Sequence, residues 1–149
     1  MKGRKLCRLR SERGFTLIEL MVVVVILGIL AAVVVPRVLD RPEEAKRTKA
    51  AVDIRGIEEA LGMYKLDNGT YPSTEQGLEA LVQKPEIGRI PKRYRDGGYL
   101  KRLPLDPWGT AYAYLSPGSQ GDVDITSFGA DGEPGGDGND ADINNWEIQ

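Results

Sequence analysis

The stretch that decides the fold is GFTLIELMVVVVILGILAAVVVP, residues 14–36. Between Phe15 and Val35 it carries a single charge, Glu19, in an otherwise nearly apolar run. As an α-helix rising ~1.5 Å per residue, this run would reach ~31 Å, which matches the thickness of the hydrocarbon core of a bilayer. The pattern therefore predicts a helix over residues 15–36 that is able to span a membrane.

The charges around this run are strongly asymmetric. Residues 1–14 hold six basic side chains and one acid, a net +5, so the total of −2 leaves −7 for the rest of the chain. Positive charge on the N-terminal side keeps that end in the cytoplasm and predicts that residues 37–149 cross the membrane. No Lys or Arg follows Arg102, which argues against nucleic-acid binding, because phosphates require cations.

Composition excludes several classes of chemistry. The 149 residues are 41% hydrophobic and 28% charged, as expected for one globular domain. The chain has no His and one Cys, Cys7, which excludes His-based triads, His-ligated zinc or haem, and an intramolecular disulfide. No spacing singles out a nucleophile with its base, so we predict that the protein is not an enzyme.

Two simpler interpretations of the apolar run are less satisfactory. A cleaved secretory signal needs small residues at the end of its apolar segment, but after Ala31 and Ala32 the run continues to Val35. A plain one-helix anchor fits the hydropathy and leaves Glu19 unexplained. A carboxylate costs roughly 2.5–3.5 kcal/mol near a bilayer centre and somewhat less toward its edge. Glu19 is therefore a candidate functional residue whose partner would be a cation in the same apolar layer.

The residues GFTLIE, 14–19, after a basic leader, resemble the class III signal of type IV pilins and pseudopilins. The resemblance implies that a prepilin peptidase removes leader residues 1–14 by cutting between Gly14 and Phe15, and methylates the new amine to give N-methylphenylalanine. It also implies that Glu19 meets the N-terminal amine of a neighbouring subunit in a helical homopolymer.

The body, residues 37–149, opens with a second helical pattern. Pro36 is expected to kink or open the helix, which resumes after Pro42 and runs to about Leu66. A short helix after Ser73 is predicted from a capping box with Gln76. The long helix carries an apolar stripe at steps of four, three, four and three, made by Ala50, Ile54, Ile57, Leu61 and Tyr64.

Two strands are predicted over residues 110–115 and 123–128, because apolar and polar residues alternate there. Between the helices and the strands, residues 85–104 are predicted to be a loop. The cations of its 89–102 part are expected to be solvated, with an ion-pair patch between subunits as the alternative. The predicted fold class is thus α+β: a long N-terminal helix packed on a small antiparallel sheet, as in type IV pilins.

Residues 129–142 read GADGEPGGDGNDAD, with five glycines and five carboxylates and no cation. Calcium suits such a segment, since it takes six to eight oxygen ligands from carboxylates and carbonyls. The spacing is not that of an EF-hand. From composition alone, a calcium loop and a merely solvated loop are both open. Ile143 and Trp146, which follow, are expected to anchor the loop in the core.

Three further stretches, residues 71–81, 103–114 and 127–146, are similar to the major pseudopilins of type II secretion systems. This resemblance implies that the C-terminal loop binds one Ca²⁺ ion. Asp137 is the least favoured of the carboxylates. The implied ligands are the side chains of Asp131, Asp140 and Asp142, with the backbone carbonyls of Phe128, Glu133 and Gly136.

The function implied by the resemblance is structural. Such a subunit is made as an inner-membrane precursor and polymerises into a periplasmic pseudopilus that drives folded proteins across the outer membrane. Its partners would be other copies of itself, minor pseudopilins, the inner-membrane assembly platform and the prepilin peptidase. The alternatives are a type IV pilus subunit, many of which close the C-terminal region with a disulfide, and a monomeric membrane-anchored calcium-binding module.

Overall fold

The computed structural model describes residues 14–148, except for the side chains of residues 33–41. The chain divides into two compact units, the first ending at Leu39 and the second beginning at Asp40. Every buried hydrophobic residue among those described lies in the second unit. Among the described residues, no helix combines the length and the apolar character needed to cross a membrane. The span predicted over residues 15–36 includes side chains outside this part and stays a prediction.

Helix α1 runs over Leu17–Asn68. Thr16 caps its start, because the Glu19 amide donates to Thr16 Oγ1 at 3.3 Å. Its end is closed by the Gly69 amide, which donates to the Lys65 carbonyl at 2.7 Å. The predicted break between Pro36 and Pro42 is wrong, since the backbone is helical through both prolines. Each proline removes only one main-chain donor from the helix, and the remaining hydrogen bonds carry it on.

The predicted stripe of α1 is confirmed as one wall of the core. Its five residues, from Ala50 to Tyr64, are all at most 2% exposed. They pack in one cluster with side chains from the short helix and the sheet, and burial of this apolar surface is the main force that holds the body together. The other buried hydrophobic members of the cluster are Ala60, Leu78, Ala80, Leu81, Tyr99, Tyr112, Val123, Ile125 and Ile143.

The second predicted helix is present only as a 3₁₀ turn, Leu78–Leu81. The predicted capping pair does form: the Ser73 amide donates to Gln76 Oε1 at 3.0 Å, and the Gln76 amide donates to Ser73 Oγ at 3.3 Å. Gln76 Nε2 is committed elsewhere, since it donates to the carbonyls of Ile87 and Arg89. The pair therefore closes a turn and fixes the following loop instead of starting the short α-helix that was predicted.

The sheet has three antiparallel strands in the order β1-β2-β3, with β1 at Ala113–Leu115, β2 at Asp124–Ser127 and β3 at Ile143–Asn144. The two predicted strands are confirmed and are shorter than expected. Strand β3 was not predicted, because two residues are too few to show an alternating pattern. It pairs with β2 through Ser127 opposite Ile143, and this pairing returns the C-terminal loop to the core.

The C-terminal anchor differs in part from the prediction. Ile143 is buried as expected, whereas Trp146 is 44% exposed and is not a core residue. Trp146 lies in a second 3₁₀ turn, Asn145–Glu147, where hydrogen bonds replace apolar burial. Asn145 Oδ1 accepts from the Ile125 amide at 2.9 Å, and Asn145 Nδ2 donates to Glu58 on α1 at 2.9 Å.

Candidate functional site

The first candidate site surrounds the start of α1. Gly14 and Phe15 precede the helix and both residues are exposed, Phe15 by 80%. Glu19 occupies the first helical turn, where negative charge is favoured by the helix dipole. Its carboxylate has no hydrogen bond or ion pair within residues 14–148. The predicted processing residues thus lie directly before the helix whose first turn holds Glu19, and leader residues 1–13 lie outside the described part.

The apolar side chains that follow are exposed in the part of the chain that the structure describes. Large hydrophobic residues from Leu17 to Leu30 are each between about half and four-fifths exposed. Contiguous apolar surface on this scale marks contact with protein or lipid, since water alone would leave it unfavourably hydrated.

The second candidate site is the C-terminal loop, residues 128–142. The Ala130 amide donates to the Asn139 carbonyl at 3.1 Å, which closes the loop at its base. Two glycines with positive φ, Gly129 and Gly136, face the Asp140 carbonyl so closely that a Cβ atom on either would lie 2.6 or 2.7 Å from its oxygen. Only glycine is compatible with this approach. The glycine-rich composition is therefore explained by a tightly folded loop.

One carboxylate of this loop has an unused buried oxygen. Asp142 Oδ2 accepts from the Gly135 amide at 3.0 Å, whereas Asp142 Oδ1 is buried and has no hydrogen-bond partner. A buried acceptor without a donor is costly, and an oxygen of this kind is available to a cation. Asp131 Oδ1 accepts from the Glu133 amide at 3.1 Å, and the side chains of Asp131 and Asp140 are exposed.

The predicted metal site is not assembled from side chains alone. Within residues 14–148, no three Asp, Glu, Cys or His side chains lie close enough together to hold a metal ion. The structure therefore does not bring Asp131, Asp140 and Asp142 together as a cluster. The groups of the loop that could bind a metal ion are oxygens, the ligand type that calcium prefers. Asp142 already offers one oxygen, Oδ1, that has no hydrogen-bond partner. The calcium site and the carbonyl ligands Phe128, Glu133 and Gly136 stay predictions.

Two contacts that tie α1 to the C-terminal half were not predicted from the sequence. Arg47 Nη1 donates to the Ala141 carbonyl at 2.7 Å, and Trp108 Nε1 donates to Glu43 Oε2 at 3.0 Å. Hydrogen bonds from Lys46 and then from Trp108 lower the pKa of Glu43. Steps of three and four back along the helix from Ala50 lead to Arg47 and Glu43. These two charged residues lie on the same helix face as the buried stripe, and this position could have indicated that each has a partner.

The cationic side chains of the basic segment, residues 89–102, make few ion pairs within the body. Arg95 lies 3.6 Å from Asp67, and the remaining cations of residues 89–102 are exposed, with no ion pair inside the described part. Beneath the loop, the rings of Tyr64, Tyr94 and Tyr99 pack edge to face. The exposure is in keeping with the predicted solvated surface, and an ion-pair patch between subunits stays a prediction.

Two protein-family models match the chain. The model of type II secretion system protein G matches residues 37–146, and the model of the prokaryotic N-terminal methylation motif matches residues 9–35. The two matches meet near Pro36, at the end of the apolar stretch of residues 15–35.

Full-length relatives share the same description. The chain is 62% identical over 138 residues to the type II secretion system core protein G of Pseudomonas aeruginosa, covering 93% of this chain and 97% of that one. It is 59% identical over 142 residues to the protein of the same name from Vibrio cholerae, covering 95% and 97%. A crystal structure of the major pseudopilin from the type 2 secretion system of enterohaemorrhagic Escherichia coli aligns with a TM-score of 0.67 at 48% identity, covering 76% of this chain and 96% of that one.

Proposed function

Because the chain belongs to the type II secretion system protein G family, we propose that it is inserted into the bacterial inner membrane and then polymerises as the main subunit of a periplasmic fibre. It is a structural subunit of a pseudopilus and not an enzyme, since the relatives that it matches over almost their whole length are core proteins of the secretion system. The fibre drives folded proteins across the outer membrane. The observation that carries the proposal is the pair of adjoining family matches.

The first step that we propose is proteolytic processing of the precursor. A prepilin peptidase cuts between Gly14 and Phe15 and methylates the Phe15 amine. Support comes from the methylation-motif match over residues 9–35 and from the exposed peptide ahead of the Thr16 cap. The leader carries Cys7 away with it, so the processed chain contains no cysteine.

Assembly then depends on the apolar part of α1 and on Glu19. Residues 15–36 anchor the precursor in the membrane and later form the fibre core, where other copies cover the side chains that are exposed in a single chain. Glu19, which has no partner among the described residues, pairs with the Phe15 amine of a neighbouring copy. Each charge is then neutralised in an apolar layer, where an unpaired charge would be costly.

The third part of the proposal is calcium binding by the C-terminal loop. The free oxygen of Asp142, the folded glycine loop and the absence of a cation among residues 129–142 support one bound Ca²⁺ ion. Asp131 and Asp140 would supply further carboxylates to the ion, and the carbonyls of Phe128, Glu133 and Gly136 would complete its oxygen ligands. Bound calcium neutralises part of the loop charge and stabilises the body.

Polymerisation is tested by crosslinking in cells. Ile26→Cys places a single thiol on the exposed apolar face of a chain that otherwise has no cysteine after processing. Oxidation is expected to give a ladder of linked multimers. The same thiol in a Cys7→Ser, Gly14→Ala background, which should not be processed and has no second cysteine, is the matched control and should give no ladder. A processed Ile26→Cys chain that stays monomeric would favour the membrane-anchored calcium module.

The calcium site is tested by thermal melting with and without EGTA. Wild type is expected to melt at a lower temperature in chelator, and Asp142→Asn is expected to lose this response because the free carboxylate oxygen is gone. Asp137→Asn, in the same loop and with the same charge change, is the control and should keep most of the response. Wild-type melting that is indifferent to EGTA would exclude a stabilising calcium ion.

A further inference from the structure

One side chain of α1 reaches the C-terminal loop across 94 positions of sequence. Arg47 Nη1 donates to the Ala141 carbonyl at 2.7 Å, in a partly buried contact. We propose that Arg47 is a positioning residue for the calcium loop, and that through Arg47 the binding of calcium to the loop stabilises residues 43–50 of α1. This inference rests on the calcium site proposed above, and it concerns a residue that would not touch the ion.

The place of Arg47 on α1 favours this role. From Arg47, steps of three and four along the helix lead to Ala50 and Ile54, both of which are fully buried. A cation on this row faces the protein interior, where it is costly without a partner. Within residues 14–148, Arg47 makes no ion pair with a carboxylate, and its Nη1 atom donates to a backbone carbonyl. Such a bond fixes a peptide and leaves the side chains of the loop free to bind.

The peptide that it fixes is the one between the expected ligands. Ala141 separates Asp140 from Asp142. On the far side, the Asp140 carbonyl lies against Gly129 and Gly136, and the Asp142 carboxylate accepts from the Gly135 amide. Residues 140–142 are therefore held by other residues of the loop on one side and by α1 on the other. Any shift of the backbone of Asp140 or Asp142 toward an ion would displace the carbonyl that Arg47 holds.

A second contact lies one turn earlier on the same row of α1. Glu43 accepts from Trp108 Nε1 at 3.0 Å and from Lys46 Nζ at 2.8 Å. This turn of α1 is thus bound to two separate segments of the C-terminal half. Of the two contacts, only the one made by Arg47 reaches the calcium loop, so Arg47 is the route by which the loop acts on the helix.

The positioning role and a purely electrostatic role predict opposite results. If Arg47 orients the loop, its removal weakens calcium binding, as does the loss of other groups that orient metal ligands from outside the coordination shell. If Arg47 acts only as a positive charge near the ion, its removal strengthens binding, because a repulsive charge is gone. The sign of the change in affinity therefore decides between the two.

The experiment titrates the processed full-length chain, in detergent micelles, with CaCl₂ by isothermal titration calorimetry. Arg47→Met is expected to weaken calcium binding by about tenfold or more. Lys49→Met is the matched control, because it removes the same charge two residues later, at an exposed position where Lys49 pairs with Asp53, and it should stay within about twofold of wild type. Hydrogen exchange of residues 43–50 should slow on calcium binding in wild type and should not change in Arg47→Met at saturating calcium.

Arg47→Met with unchanged or tighter calcium binding would overturn the proposal, as would an equal hydrogen-exchange response in both chains. A wild-type chain that binds no calcium would overturn the calcium site itself, and the coupling with it. If Arg47→Met does not fold, Arg47→Lys carries the same test. It keeps the charge and loses the guanidinium geometry, so positioning predicts weaker binding and pure electrostatics predicts no change.

Discussion

Two buried carboxylates hold turns in a body that has little regular structure after α1. Asp106 accepts from the Trp108 amide at 3.1 Å and from the Ser127 hydroxyl at 2.8 Å. Asp124 accepts from both the amide and the hydroxyl of Ser119 at 2.6 Å. These carboxylates satisfy amides that no strand or helix pairs, so the loops around the sheet keep one conformation.

The acid stability of the body is predicted to depend on Asp124. Burial opposes ionisation, yet the hydrogen bonds from Ser119 and Gln120 outweigh it and lower the pKa of Asp124 below its usual value of 3.8. A lowered pKa means that this stabilisation is present at neutral pH and is lost as pH falls through 3.8 and below. The melting temperature is therefore expected to drop below about pH 4.

Asp124→Asn gives the matching test in a series of melts between pH 2 and pH 7. It is expected to melt roughly 5–10 °C lower at pH 7 and to show a flatter fall below pH 4. Ser119→Ala keeps the backbone donors, so its loss should be smaller. An acid response in Asp124→Asn as steep as in wild type would show that other groups control it.

At the level of elements, α1 has two chemically different parts. Its first part, up to Leu30, exposes apolar side chains, whereas from Ala50 onward its apolar residues lie on one buried row and charged residues lie mostly elsewhere. The first part is thus suited to contacts with other molecules, and the second forms the body's own core. One continuous helix serves both purposes because only the pattern of its side chains changes.

The buried row is predicted to dominate the stability of the body. Leu61→Ala removes a side chain that is 0% exposed and should lower the free energy of unfolding by about 2–5 kcal/mol. Leu66→Ala makes the same substitution on the same helix at a side chain that is 86% exposed, and should change it by less than about 0.5 kcal/mol. Urea denaturation measures both, and similar losses in the two variants would contradict the assigned core.

For the whole molecule, removal of the leader is predicted to decide whether the chain can become a fibre subunit. Gly14→Ala puts a methyl group at the predicted cut, where the peptide otherwise stands ahead of the helix cap. The variant is expected to accumulate at precursor size and to yield no pseudopili, with secretion lost. A mature-sized band on a gel would contradict the assigned cut.

Glu19→Val separates processing from assembly in the same intact chain. It leaves Gly14 and Phe15 unchanged, so cleavage should proceed, but the Phe15 amine of a neighbour would find no carboxylate in the apolar layer. We expect mature-sized protein and few fibres by electron microscopy. Glu19→Asp keeps the charge and should retain part of the assembly. Fibres in normal number from Glu19→Val would exclude the pairing.

The sequence by itself determined what depends on local patterns. The spacing of glycine, phenylalanine and glutamate beside a basic leader indicated the family, and a stripe at steps of three and four predicted the buried side of α1. The reciprocal bonds of Ser73 and Gln76 were also predictable, because both partners lie within one turn. In each case the residues that interact are close in sequence, so spacing alone carries the information.

Only the tertiary structure decided what depends on distant partners. Strand β3 exists because β2 is there to pair with it, Trp146 is exposed in the turn that the hydrogen bonds of Asn145 hold, and Arg47 contacts Ala141 across 94 positions of sequence. The helical state of Pro36 and Pro42 likewise depends on the helix on both sides of them. Contacts across many tens of residues are set by the packing of the chain, and the order of amino acids does not display them.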